Sequence, residues 1–154
     1  MKIIFLDFDG VLDTAYYDLM LVKEGQEECD QYGVKFDPSC VACLKQIVEE
    51  TGARIVVSST WKALMDYSDF QTMWRDRELP GSVIDATPNI SGKRGQEIAA
   101  WLNECQEPCR YAIVDDLDGS NFLNEQIEHL FVVNPWNGLD EETSRRIIAH
   151  LNAE

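Results

Sequence analysis

The chain has 154 residues, enough for one domain with a substantial core, and its 45% hydrophobic and 27% charged residues exclude a disordered chain or a coiled coil. Thirteen Lys and Arg against 28 Asp and Glu leave a net charge of −15, which repels nucleic acid and anionic membranes and disfavours an extended nucleic acid as partner. The longest apolar runs, 54–57 and 130–133, are of strand length, far short of the roughly 20 residues a membrane span needs.

Residues 2–6 are apolar and β-favouring and end abruptly at Asp7-Phe8-Asp9-Gly10, as a buried parallel strand running into a loop does. Asp37-Pro38-Ser39 then supplies an N-cap and a first-turn proline, Val41, Leu44, Ile47 and Val48 recur at helical spacing, and Gly52 follows the last turn. A second strand, 55–57, ends in Ser58-Ser59-Thr60, and the mixed segment 61–78 reads as helical before Pro80-Gly81. Val83-Ile84 predicts a short third strand. After Lys93-Arg94-Gly95 the residues Ile98, Trp101, Leu102 and Cys105 share a helical face, and 111–114 predicts a fourth strand ending in Asp115-Asp116. A short helix over 121–128, a fifth strand over 130–133 and a terminal helix over 140–151 complete the alternation.

Strands alternating with helices predict a Rossmann-like three-layer α/β/α fold, with about five parallel strands in the sheet and one domain spanning 1–154. The N-terminal apolar run is broken by Asp7 and offers no small-residue cleavage site, so a cytoplasmic location is expected. Five cysteines, an odd number, then read as reduced thiols. Cys40-x-x-Cys43 falls inside the predicted helix, and no second Cys/His pair completes a zinc pattern.

In a sheet of this kind ligands bind beyond the carboxyl ends of the strands, where Asp7, Asp9, Ser58, Ser59, Asp115 and Asp116 all fall. Asp7 and Asp9 are two apart, so in an extended segment both carboxylates leave one face. Their repulsion is relieved by a cation or by a proton, and four converging carboxylates suit a hard ion such as Mg²⁺. Lys93 and Arg94 precede a helix whose N-terminus is already positive, an arrangement that makes sense if an anion sits there. Phosphate fits all of these groups, with Asp7 able to attack phosphorus.

These motifs resemble, in order and across nearly the whole chain, those of the haloacid dehalogenase (HAD) superfamily of phosphohydrolases. The resemblance implies that Asp7, in Asp7-Phe8-Asp9-Gly10-Val11-Leu12-Asp13, is the nucleophile. It implies too that Asp9 is the general acid and base and binds Mg²⁺ through its backbone carbonyl. Ser58 takes the place of the second-motif hydroxyl, with Ser59 beside it, and Asp115-Asp116 that of the paired metal acids. Lys93 is the first choice for the third-motif cation, with Arg94 as the alternative. The stretches 56–62, 94–98 and 101–102 are similar to those of a small capless branch associated with RNA-repair proteins. Residues 14–36 lie where the superfamily carries its flap or cap and are too few for an independent cap domain.

The expected activity is Mg²⁺-dependent hydrolysis of a phosphomonoester on a nucleotide, a small metabolite or a phosphorylated nucleic-acid end. The alternatives are phosphoryl transfer to an acceptor other than water and a non-catalytic phosphate and Mg²⁺ binding module. Trp61, Tyr67, Phe70 and Trp74 read as packing residues, Asp118 as a cap, and His129 and His150 as structural or surface groups. The sequence leaves the oligomeric state open.

Overall fold

Residues Ile3, Ile4, Phe5 and Leu6 are wholly buried, which is what an unbroken apolar run demands of a strand with neighbours on both sides and helices on both faces. The computed structural model of the chain describes residues 1–90 and 92–154. The run forms β1 (Lys2–Leu6), paired in parallel with β4 (Arg54–Val57) on one side and β6 (Arg110–Asp115) on the other. With β5 (Val83–Ala86) and β7 (Leu130–Val132) outside them, the sheet is all parallel in the order β5-β4-β1-β6-β7.

Alternation along these strands divides the core into two layers. Ile4, Leu6, Ile55, Val57, Ala112 and Val114 join one cluster, with α2 (Pro38–Thr51), α3 (Tyr67–Asp76) and α5 (Glu141–Asn152) supplying Leu44, Ile47, Phe70, Met73, Ile147 and Leu151. Ile3, Phe5, Val56 and Ile113 face the other way, against Ile98 of α4 (Arg94–Glu104) and Phe122. The predicted α/β/α layering is present. Among the described residues no helix is long and apolar enough to cross a membrane.

The caps of α2 are those its sequence signals: the Asp37 carboxylate accepts from Ser39 N at 2.9 Å, and Gly52 ends the helix at φ 69°. Two predicted helices are broken up. Within 61–78, a 3-10 turn (Thr60–Ala63) precedes α3, because Asp66 and Asp69 form a capping box, each side chain accepting from the other's backbone N–H at 2.9 Å. The predicted helix 121–128 is instead two 3-10 turns, Gly119–Asn121 and Asn124–His129, the first capped by Asp118 through Ser120 N at 2.9 Å.

Residues 14–36 fold as α1 (Ala15–Lys23) followed by a short antiparallel hairpin, β2 (Cys29–Asp30) and β3 (Gly33–Val34). The Thr14 hydroxyl donates to Asp37 at 2.9 Å and so anchors the start of this flap to the cap of α2. Its far end is pinned by Arg77, which bonds Asp30 at 2.9 and 2.7 Å and the carbonyls of Gly33 and Val34 at 3.1 Å each. The guanidinium also lies 4.7 Å from the centre of the Phe36 ring. Arg77→Ala should therefore lower stability by about 2 kcal/mol and expose the hairpin. Denaturant unfolding together with limited proteolysis within residues 24–35 measures both.

Candidate active site

The chain runs from β1 out to β4 and β5 on one side and returns to β6 and β7 on the other, so the order reverses at the carboxyl end of β1. Asp7 stands there, nearly buried, its backbone N–H continuing the ladder to Val114 O at 3.1 Å. Ser58 follows β4 and donates its N–H to Leu6 O at 2.9 Å, while Asp115 is the last residue of β6. Three parallel strands thus deliver their next side chains to one edge.

Oxygens of Asp7, Asp115 and Asp116 all lie within 4.8 Å of one another. Two glycines make this convergence sterically feasible. A Cβ at Gly10, where φ is +78°, would meet Asp116 Oδ2 at 2.5 Å, so the turn after Asp9 closes on the acidic pair only without a side chain. A Cβ on Gly95 would lie 2.7 Å from Phe122 Cα, so the first turn of α4 packs directly on the loop that follows β6.

That first turn places Arg94, not Lys93, in the site. Arg94 Nη1 donates to Asp115 Oδ2 at 2.6 Å and to Ser58 O at 2.7 Å, and lies 3.4 Å from Asp7 Oδ1. Lys93 is exposed and its ammonium donates to Ser120 O at 2.7 Å. One residue along a helix rotates the side chain by about 100°, which separates the two cations. The Ser58 hydroxyl is buried with no hydrogen-bond partner, whereas the Ser59 hydroxyl accepts from Trp61 N at 3.3 Å and caps the following turn. The Asp9 side chain is exposed and stands apart from the three-acid cluster, its Oδ1 accepting from Trp61 Nε1 at 3.0 Å.

Burial, and then the charge of Asp115, pushes the Asp7 carboxyl up to about 8, against the pull of Arg94. Burial raises Asp115 as well, although Arg94 and the Leu117 N–H oppose the shift. Asp13, at the end of the same turn, is pushed up to about 9 by burial and by its contact with Asp9. Ionised together, three carboxylates beside one guanidinium would carry surplus negative charge, and the orphaned Ser58 hydroxyl marks an unmet polar demand beside them. All the donors are hard oxygens, so the set fits a divalent ion of the Mg²⁺ kind and not zinc. Among the described residues no cysteine belongs to such a group, although Cys105 and Cys109 bring their sulfurs to 3.0 Å. His129 and His150 pair at 3.0 Å next to Tyr111, at the start of β6 and away from the acids.

Two residues gain roles here that the sequence reading does not assign: Lys62, and Trp61, which reads there as packing alone. Lys62 is buried, with its ammonium 2.7 Å from Thr87 Oγ1, 3.1 Å from Thr87 O and 3.2 Å from Glu97. It braces the turn after Ser58 against the end of β5 and against α4, the helix that carries Arg94. Trp61 orients Asp9. Their sequence signals are closeness to Ser58, within four residues, and membership of the stretch 56–62 that carries part of the family resemblance.

A parallel sheet with an acid-x-acid-Gly turn after its central strand, an arginine at a helix start and paired acids after the neighbouring strand defines a HAD-type domain, of the phosphohydrolase superfamily. The family model for the HAD domain in Swiss Army Knife RNA repair proteins matches residues 3–144, and the chain belongs to this family. Neither the curated proteins nor the solved structures provide a significant match.

Two outcomes follow for stability. Because the folded-state pKa of Asp7 is raised from 3.8 to about 8, the metal-free fold binds a proton that the unfolded chain releases in this interval. Stability should be greatest at the acid end of that window and fall as pH rises through it. In metal-free protein at pH 8, Asp7→Asn should raise stability by about 1–2 kcal/mol, or a few degrees in Tm, as read by calorimetry across pH. Lys62→Met should do the reverse, costing about 3 kcal/mol because Glu97 is left largely buried without its partner, which urea unfolding would register.

Proposed function

We propose that the chain is a Mg²⁺-dependent phosphomonoester hydrolase acting through an aspartyl-phosphate at Asp7. The observation that carries this reading is the position of Asp7 on the central strand, beside Arg94 and near two further acids, with a partnerless buried hydroxyl at Ser58. An acid placed for structure alone would not be buried among other acids.

Asp7, Asp115 and Asp116, with the Asp9 carbonyl that the family resemblance adds, would hold Mg²⁺, whose charge would neutralise the phosphoryl oxygens and keep Asp7 ionised. Arg94 and the Ser58 hydroxyl orient those oxygens, and Lys93 lies outside this role. The Asp7 carboxylate forms a bond to phosphorus as the ester oxygen departs, and Asp9 gives that oxygen its proton. Water then attacks the aspartyl-phosphate, its proton passes to Asp9, and phosphate leaves with Asp7 regenerated. The indole N–H of Trp61 holds one Asp9 oxygen through both steps.

A phosphorylated metabolite, a nucleotide or a phosphorylated nucleic-acid end fits this site. The family description, which ties such domains to RNA repair proteins, favours the latter two. The charge of −15 disfavours long nucleic acid and places recognition in the few residues around the phosphate.

Phosphate release in Mg²⁺ should disappear with a chelator and fall by about a thousandfold or more in Asp7→Asn, with the fold kept. Asp9→Asn should slow both steps by about a hundredfold or more. A near-normal rate in Asp7→Asn would overturn the mechanism.

A further inference from the structure

Beside Asp9 the surface opens into a cavity of about 400 Å³ that the proposed chemistry leaves unassigned. Its walls are Trp61, Leu64 and Met65 from the turn after β4, and Tyr32, Gly33 and Val34 from the flap hairpin. The remaining lining residues are Asp9 and Thr60, so among the described residues no lysine or arginine reaches it. The Tyr32 hydroxyl is committed to Asp76, which leaves little polar function in the walls.

Trp61 is fixed from three directions. Its ring meets Phe8 edge-on at 5.2 Å and lies 5.7 Å from Phe36, and its N–H is held by Asp9. The hairpin closes directly over it, since a Cβ at Gly33 would come within 3.3 Å of the indole carbons. At the same cavity Leu64 is 92% exposed, an apolar side chain left in water next to a carboxylate that handles protons.

An acid that protonates the leaving oxygen must stand next to the group that oxygen carries. The cavity therefore receives the leaving group, and its walls describe that group's chemistry. Aromatic and aliphatic walls favour a flat apolar body, and the absence of a cation excludes a second phosphate or a carboxylate. The geometry points to a leaving-group subsite in which the substrate seats an uncharged planar ring between Trp61 and Leu64. This inference rests on the hydrolase reading above, which gives Asp9 its role.

Benzyl phosphate and ethyl phosphate carry the same phosphoryl group on leaving oxygens of similar basicity and differ in the ring. In Mg²⁺ the wild-type protein should turn over the benzyl ester with a kcat/KM at least about tenfold higher, chiefly through KM. Leu64→Ser, at a position too exposed to support the fold, should bring the two esters within about twofold of each other, at an unchanged melting temperature. Nucleoside monophosphates preferred over ribose phosphate would support the subsite with a nucleobase as the ring. A preference confined to the benzyl ester would support it with a benzenoid one. Equal kcat/KM for the two esters, with both activities lost in Asp7→Asn, would overturn the subsite and leave the hydrolase standing. If neither ester is hydrolysed, calorimetry of benzylphosphonate against methylphosphonate on the wild-type protein decides. Tighter binding of the benzyl compound supports a ring seat beside the phosphate position independently of turnover, and equal binding overturns it.

Discussion

The Arg94 guanidinium is the group on which the site depends. It is largely buried, it touches Asp115 and the carbonyl of Ser58, and it lies beside Asp7, so it links the ends of β6, β4 and β1. Without it, three carboxylates would face each other on a dry sheet edge, where repulsion is poorly screened. It is also held at the start of α4, where a cation is disfavoured by the helix dipole. Both conflicts are relieved only in part by the protein itself, and both have the sign that a bound phosphate and a divalent cation would correct.

The scaffold is built to withstand this frustration. Four successive wholly buried residues of β1 pair on both sides and pack on both faces, so the strand that presents Asp7 is the most enclosed in the sheet. Hydrophobic burial on that scale, about 2 kcal/mol for each large side chain, can hold together a cluster of acids that would otherwise splay apart. Lys62 plays the matching part on the polar side. Its bonds to Thr87 and Glu97 clamp the turn after Ser58 to the helix of Arg94, so the hydroxyl and the guanidinium keep their spacing.

What could be read from sequence follows from how local each feature is. β1 announces itself as a continuous apolar run, and α2 by an N-cap, a proline and a terminal glycine, because these signals act within a few residues. The segment 61–78 misled because its aromatic residues suggest one helix, while the Asp66 and Asp69 capping box restarts the chain midway. Acids at a helix start are a weaker signal than a serine paired with a glutamate, although the physics is the same. The choice between Lys93 and Arg94 turns on a rotation of one residue, set by the contact of Gly95 with the 122–123 backbone, which no local pattern encodes. Trp61 and Lys62 gain their roles from partners 52 and 25 residues away, and such pairings are invisible without the fold.

The global and local charges of the molecule point in opposite directions, and this shapes what it can recognise. A net charge of −15 opposes the approach of any phosphate ester, so encounter gains nothing from long-range attraction. On the proposed hydrolase reading, recognition then arises within a few ångströms, where Arg94 and a divalent ion held by the acid cluster would act on the phosphoryl group. A polyanion would add repulsion with each further phosphate, whereas a monoester presents only the group that the site neutralises. On the same reading, binding energy beyond that group would be apolar, because among the described residues the cavity beside Asp9 is lined by no lysine or arginine. The flap hairpin, pinned by Arg77 and seated on Trp61, keeps that apolar wall in place next to Asp9.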